Sequence, residues 1–153
     1  MRFLTEPTTD LTYSDLFLVP SRSGVTLRSG LVAALFTTLL NLALWGVARY
    51  LLGVSFQVPT PPTMELGDFN PVFIVIASVL PALLAPGVYN LLRRLSPANP
   101  QGAFRILSAV LLLLSFAMPY GLLGAADGAT KLALNLMHIV SAAGIIALVK
   151  EGQ

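Results

Sequence analysis

The side chains in this sequence that could bind a ligand or transfer a proton are a few polar residues inside long apolar stretches. His138 is the only histidine, and Asn135 and Ser141 lie three residues to either side of it, on one side of a helix. Asn41 is the strongly polar residue of an earlier apolar stretch. An imidazole in such surroundings can relay a proton or ligate a haem.

The same residue types exclude several kinds of site. The chain has no cysteine, which removes disulfides, thiolate zinc sites, cysteine-ligated iron–sulfur clusters and cysteine nucleophiles. A lone histidine cannot supply bis-histidine haem ligation, and no buried carboxylate is available to complete a metal site of three or four ligands. We therefore expect no catalytic residues, no metal site and no cofactor of the chain's own, so the protein is not expected to be an enzyme.

Three interpretations of His138 are open. It is an interior residue whose hydrogen bonds are made within the bundle, a pH-responsive or proton-relay group, or an axial ligand to haem or chlorophyll in a larger complex. The third interpretation makes His138 the candidate cofactor-binding residue. Counted from the ends of their apolar stretches, Asn41 and His138 lie at similar depth. Their depth predicts a contact between the Asn41 amide and the imidazole.

Four stretches without a charged residue, each 18 to 24 residues long, make up most of the chain. They are Ser29–Ala48, Phe69–Leu92, Ile106–Ala126 and Leu132–Val149. A bilayer core about 30 Å thick requires roughly 20 apolar residues of helix, so each stretch predicts one crossing. In agreement, 56% of residues are hydrophobic and 10% are charged. The predicted fold is all-α, an integral membrane protein with four transmembrane helices in an antiparallel bundle.

The chain divides into two segments. Residues 1–28 form a polar cytoplasmic N-terminal segment that is too short and polar to build a core, and we expect it to be irregular. Residues 29–150 form the transmembrane domain. Its spans are expected at about 30–52, 71–93, 104–123 and 129–149. The proline-rich loop after the first span is expected to follow an extended path across the surface.

The basic residues predict the orientation of the bundle. Seven of them fall on the side that holds both termini, and two, Arg49 and Lys131, fall on the other. The seven are Arg2, Arg22, Arg28, Arg93, Arg94, Arg105 and Lys150. By the positive-inside rule both termini are cytoplasmic. We expect a multi-pass protein of the cell inner (plasma) membrane whose environment is the lipid bilayer, and no binding to nucleic acid.

Small and polar residues recur at helical spacing within the spans. The stripes are Ala34, Thr37, Asn41 and Ala48 on the first span, Ser78, Ala82, Ala85 and Tyr89 on the second, and Asn135, His138 and Ser141 on the fourth. Such stripes allow close helix packing and hydrogen bonds across helices in lipid. Asn41 and Asn135 are therefore predicted to be structural polar residues.

Arg49 and Asp127 are the other two predicted structural polar residues. Arg49 lies eight residues outward from Asn41, and Asp127 lies eleven outward from His138, so both are near the same membrane boundary. We expect an ion pair between them that ties the first span to the turn before the fourth.

Residues 10–25 contain Leu11-Thr-Tyr-Ser-Asp-Leu-Phe-Leu-Val-Pro20, which resembles the opening segment of IMP dehydrogenases. The reaction of that family requires a cysteine nucleophile and a (β/α)₈ barrel, and this chain has neither. The resemblance therefore implies no activity and no site residue.

A second resemblance covers about residues 27–149. Gly53-Val-Ser-Phe-Gln-Val-Pro59, together with the stretch from Ala125 to His138, resembles a family of small four-span bacterial membrane proteins of unknown function. The resemblance implies the four-helix architecture and leaves the activity open.

Two functions are consistent with these observations. The first is an accessory or structural subunit of a membrane complex, which needs membrane protein partners but no catalytic residues. The alternative is a small transporter or channel, which would have to assemble as a homo-oligomer because one chain offers few polar groups for a path.

Overall fold

A computed structural model describes residues 24–60, 64–121 and 124–150 of the chain. It contains four long helices: α1 (Leu27–Gly46), α2 (Val72–Leu95), α3 (Pro100–Gly121) and α4 (Gly128–Leu148). All four are long and apolar enough to cross a membrane. The predicted all-α, four-helix membrane fold is confirmed. The predicted irregular segment 1–28 lies almost wholly outside the described residues.

The predicted stripes of α1 and α2 face the interior of the bundle. Ala34, Thr37 and Asn41 are buried on α1, and Ala48 is buried just beyond its end. The four stripe residues of α2, from Ser78 to Tyr89, are buried as well. Most of these residues are small, and small residues allow helix backbones to approach closely.

Two glycines lie where α1 packs tightly against a neighbouring helix. A Cβ at Gly30 would lie 2.8 Å from Cγ of Pro86 and 2.9 Å from the carbonyl oxygen of Ala82, both on α2. A Cβ at Gly144 on α4 would lie 2.5 Å from Cγ2 of Thr37. The α1–α2 and α1–α4 interfaces therefore depend on the absence of a side chain at one position each.

The helix α3 lies at the edge of the bundle. It packs against α4 and α2, and a ring contact between Tyr89 and Phe104, 5.4 Å between centroids, joins it to α2. In the most apolar stretch of 18 residues of α3, only 11% of the residues are buried, compared with 28% to 33% in the corresponding stretches of the other three helices. In the described part of α3, the buried residues are Phe104 and Pro119. Most of its apolar surface is available to lipid or to another protein.

The end of α1 continues as a π-helix, Val47–Leu51, in which the amide of Leu52 bonds to the carbonyl of Val47 at 3.1 Å. Gly53 follows with φ +69°, a left-handed conformation that glycine adopts without strain. This wide turn directs the chain back over the end of the bundle.

The loop after α1 forms a β-hairpin where only an extended path was expected. Strands β1 (Gln57–Thr60) and β2 (Glu65–Asp68) are antiparallel, with Gln57 opposite Asp68. Pro59 is accommodated because a two-stranded sheet consists of edge strands. The end of the bundle that carries this hairpin and the α3–α4 turn is called the hairpin end. The opposite end, with Arg28, Arg93, Arg94, Arg105 and Lys150, is called the basic end.

Candidate functional site

Asn41 joins three helices inside the bundle. Its amide nitrogen donates to the hydroxyl of Ser78 on α2 at 3.0 Å and to the hydroxyl of Ser141 on α4 at 2.7 Å. Asn41 is 2% exposed, so the bonds form away from solvent. Both amide hydrogens are used, and the cluster of Asn41, Ser78 and Ser141 links α1, α2 and α4 at one depth.

His138 has a different partner from the one predicted. Its Nδ1 lies 2.7 Å from the carbonyl oxygen of Leu134, one turn earlier on α4. The predicted pairing with Asn41 is not formed, because Nδ1 bonds to Leu134, the Asn41 amide nitrogen bonds to two serines, and the Asn41 amide oxygen has no hydrogen-bond partner in the described residues. Since a carbonyl oxygen only accepts, the hydrogen of this contact lies on Nδ1, which leaves Nε2 as the ring nitrogen that could bind a ligand. A cofactor-binding role of His138 stays a prediction.

Asn135 lies on the side of α4 that meets α3. Its amide nitrogen is 3.5 Å from the hydroxyl of Tyr120 near the end of α3. Lys131, one turn earlier, donates to the carbonyl of Gly124 at 2.9 Å and lies 5.9 Å from the centre of the Tyr120 ring. These contacts place the predicted structural residue Asn135 at the α3–α4 interface.

Arg49 has a carboxylate partner other than the one predicted. Its guanidinium lies 3.5 Å from the carboxylate of Asp68, at the end of β2, and it also donates to the carbonyl of Ser55. The predicted ion pair with Asp127 is therefore wrong. The two residues are instead linked through Ser55, whose hydroxyl donates to Asp127. The predicted tie between α1 and the turn before α4 exists, but Ser55, in the segment that leads into the hairpin, supplies it.

Asp127 caps the start of α4 and binds the hairpin. Its carboxylate accepts from the amide of Thr130 at 2.8 Å, from the Thr130 hydroxyl at 2.8 Å, and from the Ser55 hydroxyl. These hydrogen bonds, that from Ser55 foremost, stabilise the charged form and lower the pKa of Asp127 from 3.8 to about 2. Thr130 also accepts from the amide of Phe56 at 3.1 Å. Asp127 and Thr130 thus bind Ser55 and Phe56, the two residues that lead into the hairpin, to the start of α4.

The lowered pKa predicts an acid-dependent loss of stability. Because the folded pKa of Asp127 is about 2 and the ordinary value is 3.8, its contribution is present above about pH 4 and lost as the pH falls toward 2. We expect the melting temperature in detergent, followed by the fluorescence of Trp45, to fall across this window. Asp127→Asn should melt at a lower temperature than the wild type at pH 7, and the difference should narrow on acidification. The prediction would be contradicted if the difference in melting temperature between the wild type and Asp127→Asn were the same at every pH.

Three residues were not predicted to take part in this network: Ser55, Asp68 and Thr130. The signal for Thr130 was available, since a threonine three residues after a helix-capping aspartate lies within reach of its carboxylate. Ser55 and Asp68 had no such signal, because their positions depend on the hairpin register. In the described ranges, no three His, Asp or Glu side chains come together as a metal site.

The fold and the network of hydrogen bonds define a small integral membrane protein, a four-helix bundle closed at one end by a hairpin. A family model, described as a family of unknown function (DUF6069), matches residues 21–153, so the chain belongs to this family. Neither a curated protein nor a solved structure matches the chain. The resemblance of residues 10–25 to IMP dehydrogenases is not shown by these comparisons.

Proposed function

We propose that the protein is an accessory or structural subunit of a membrane protein complex in the inner membrane, with both termini in the cytoplasm, and that it is not an enzyme. The observation that carries this proposal is the low burial of α3. In its most apolar stretch of 18 residues, 11% of the residues are buried. The other three helices bury 28% to 33% of theirs. A helix held so loosely by its own chain gains contacts when a partner packs against it.

The interior of the bundle supports the same proposal. The Asn41 amide hydrogens bond to Ser78 and Ser141, and the carboxylate of Asp127 bonds to Ser55 and Thr130. Hydrogen bonds between helices stabilise a bundle, whereas a transport path requires polar groups that exchange partners with a solute. The amide oxygen of Asn41 has no hydrogen-bond partner in the described residues, so this support rests on the bonds of its amide nitrogen. The oligomeric transporter remains the alternative.

The test is gentle purification from native membranes, with mass spectrometry and a visible absorption spectrum of the same peak. We expect a stoichiometric membrane protein partner that is lost with Leu113→Trp on α3. Leu113 is 67% exposed and Leu132 on α4 is 70% exposed, so Leu132→Trp is the matched control and should retain the partner. A partner-free particle of several identical chains would favour the transporter instead. A pigment band that disappears in His138→Ala would identify His138 as its ligand.

A further inference from the structure

A small open concavity lies along α2 near the basic end. Its volume is about 230 Å³, and its lining residues are Gly87, Asn90, Leu91 and Arg94. These residues are three, four and seven positions apart, so they form one face of the helix over two turns. We propose that this concavity binds an anionic phospholipid, with the phosphodiester of the headgroup on Arg94 and an acyl chain along Gly87 and Leu91.

The depth of the residues fits the two parts of a phospholipid. The 24 residues of α2 extend about 36 Å, which exceeds the thickness of the hydrocarbon core. Arg94, in the last turn of α2, therefore reaches the headgroup region, and Gly87 lies about 10 Å deeper along the helix axis. A polar contact at one end and an apolar groove at the other suit a lipid better than a free phosphate ion.

The groove exists at Gly87 because this residue has no side chain. A Cβ built at this residue has no atom within 4 Å, and the missing side chain leaves space beside the exposed Leu91. Asn90 is fixed in place, since its amide nitrogen donates to the carbonyl of Val25 at 2.9 Å. The concavity therefore has one lining side chain, Asn90, that is held by a hydrogen bond, and open space at Gly87.

Charge favours an anionic headgroup. Arg94 forms no ion pair with a described acidic residue, and the acidic residues of the described ranges, Glu65, Asp68 and Asp127, lie at the hairpin end. Arg94 is exposed, and its planar guanidinium can bind two phosphate oxygens at once. Basic pockets at this level of a membrane helix are suited to acidic lipid headgroups.

The test is native mass spectrometry of the full chain in detergent, titrated with phosphatidylglycerol or with phosphatidylcholine of the same acyl chains. We expect tighter binding of phosphatidylglycerol, and a loss of about fivefold in its affinity with Arg94→Gln. Arg105→Gln is the matched control, because Arg105 is exposed at the same end but lies on α3, outside the concavity. It should retain the wild-type affinity.

A second variant tests the shape without changing the charge. Gly87→Leu fills the groove, where a side chain meets no neighbour, and it should weaken the binding of phosphatidylglycerol while the melting temperature is preserved. The proposal is overturned if Gly87→Leu binds as the wild type does, or if Arg105→Gln weakens binding as much as Arg94→Gln. Equal binding of phosphatidylcholine, or displacement of the lipid by inorganic phosphate, would also overturn it.

Discussion

Gly30→Ala is expected to lower the free energy of unfolding by about 1 to 3 kcal/mol, because the added methyl group overpacks the α1–α2 interface. The new Cβ would lie 2.9 Å from the carbonyl oxygen of Ala82 and 2.8 Å from Cγ of Pro86. A backbone carbonyl and a proline ring within a helix cannot rotate away, so the two helices must separate. Reversible unfolding in mixed micelles, or the melting temperature in detergent, measures the effect.

Gly46→Ala is the matched control on the same helix. A Cβ at Gly46 meets no atom within 4 Å, so alanine there causes no clash. Alanine is also favoured over glycine inside a helix by up to about 1 kcal/mol, so this variant should be as stable as the wild type or more stable. If both variants shifted stability by the same amount, close packing at Gly30 would not be the reason that α1 lies against α2.

Thr130→Val is expected to cost about 2 kcal/mol and to loosen the hairpin from the bundle. The Thr130 side chain is fully buried, and its hydroxyl accepts from the amide of Phe56 and donates to Asp127. Valine has the same shape but leaves the amide of Phe56 without this acceptor. Phe56 is 1% exposed and has φ +49°, a conformation disfavoured for phenylalanine, so its position depends on such contacts.

The loosening can be observed at Trp45, the only tryptophan in the chain. The rings of Trp45 and Phe56 are 6.3 Å apart, so release of the hairpin should change the tryptophan emission. Thr130→Ser retains the hydroxyl and removes only a methyl group, and we expect its emission to match the wild type. A valine variant that is as stable as the serine variant would show that the hydroxyl does not hold the hairpin.

The four spans and the inward stripes of α1 and α2 followed from the sequence for a simple reason. Lipid requires long apolar helices, and it leaves small and polar residues such as Ala82 and Asn41 to mark where helices meet. Each of these inferences needs only the position of a residue along and around its own helix.

The contacts of Arg49 and His138, and the bond between Asp127 and Ser55, did not follow from the sequence, because depth in the membrane is only one coordinate. Residues at the same depth on different helices are separated laterally by an amount that depends on the packing. The hairpin adds a carboxylate, Asp68, that competes for Arg49. The position of that carboxylate depends on the π-helical turn and on Gly53, and hydropathy reports neither.

The contacts of Asn41 bear on how the bundle responds to bilayer thickness. Apolar helices in lipid can slide past one another at small cost, but a slide of one turn, about 5.4 Å, would break the bonds from Asn41 to Ser78 and Ser141. The three helices must therefore keep a common height. In a thinner or thicker membrane, we expect α1, α2 and α4 to tilt together as one body, and the lipid to absorb the remaining mismatch.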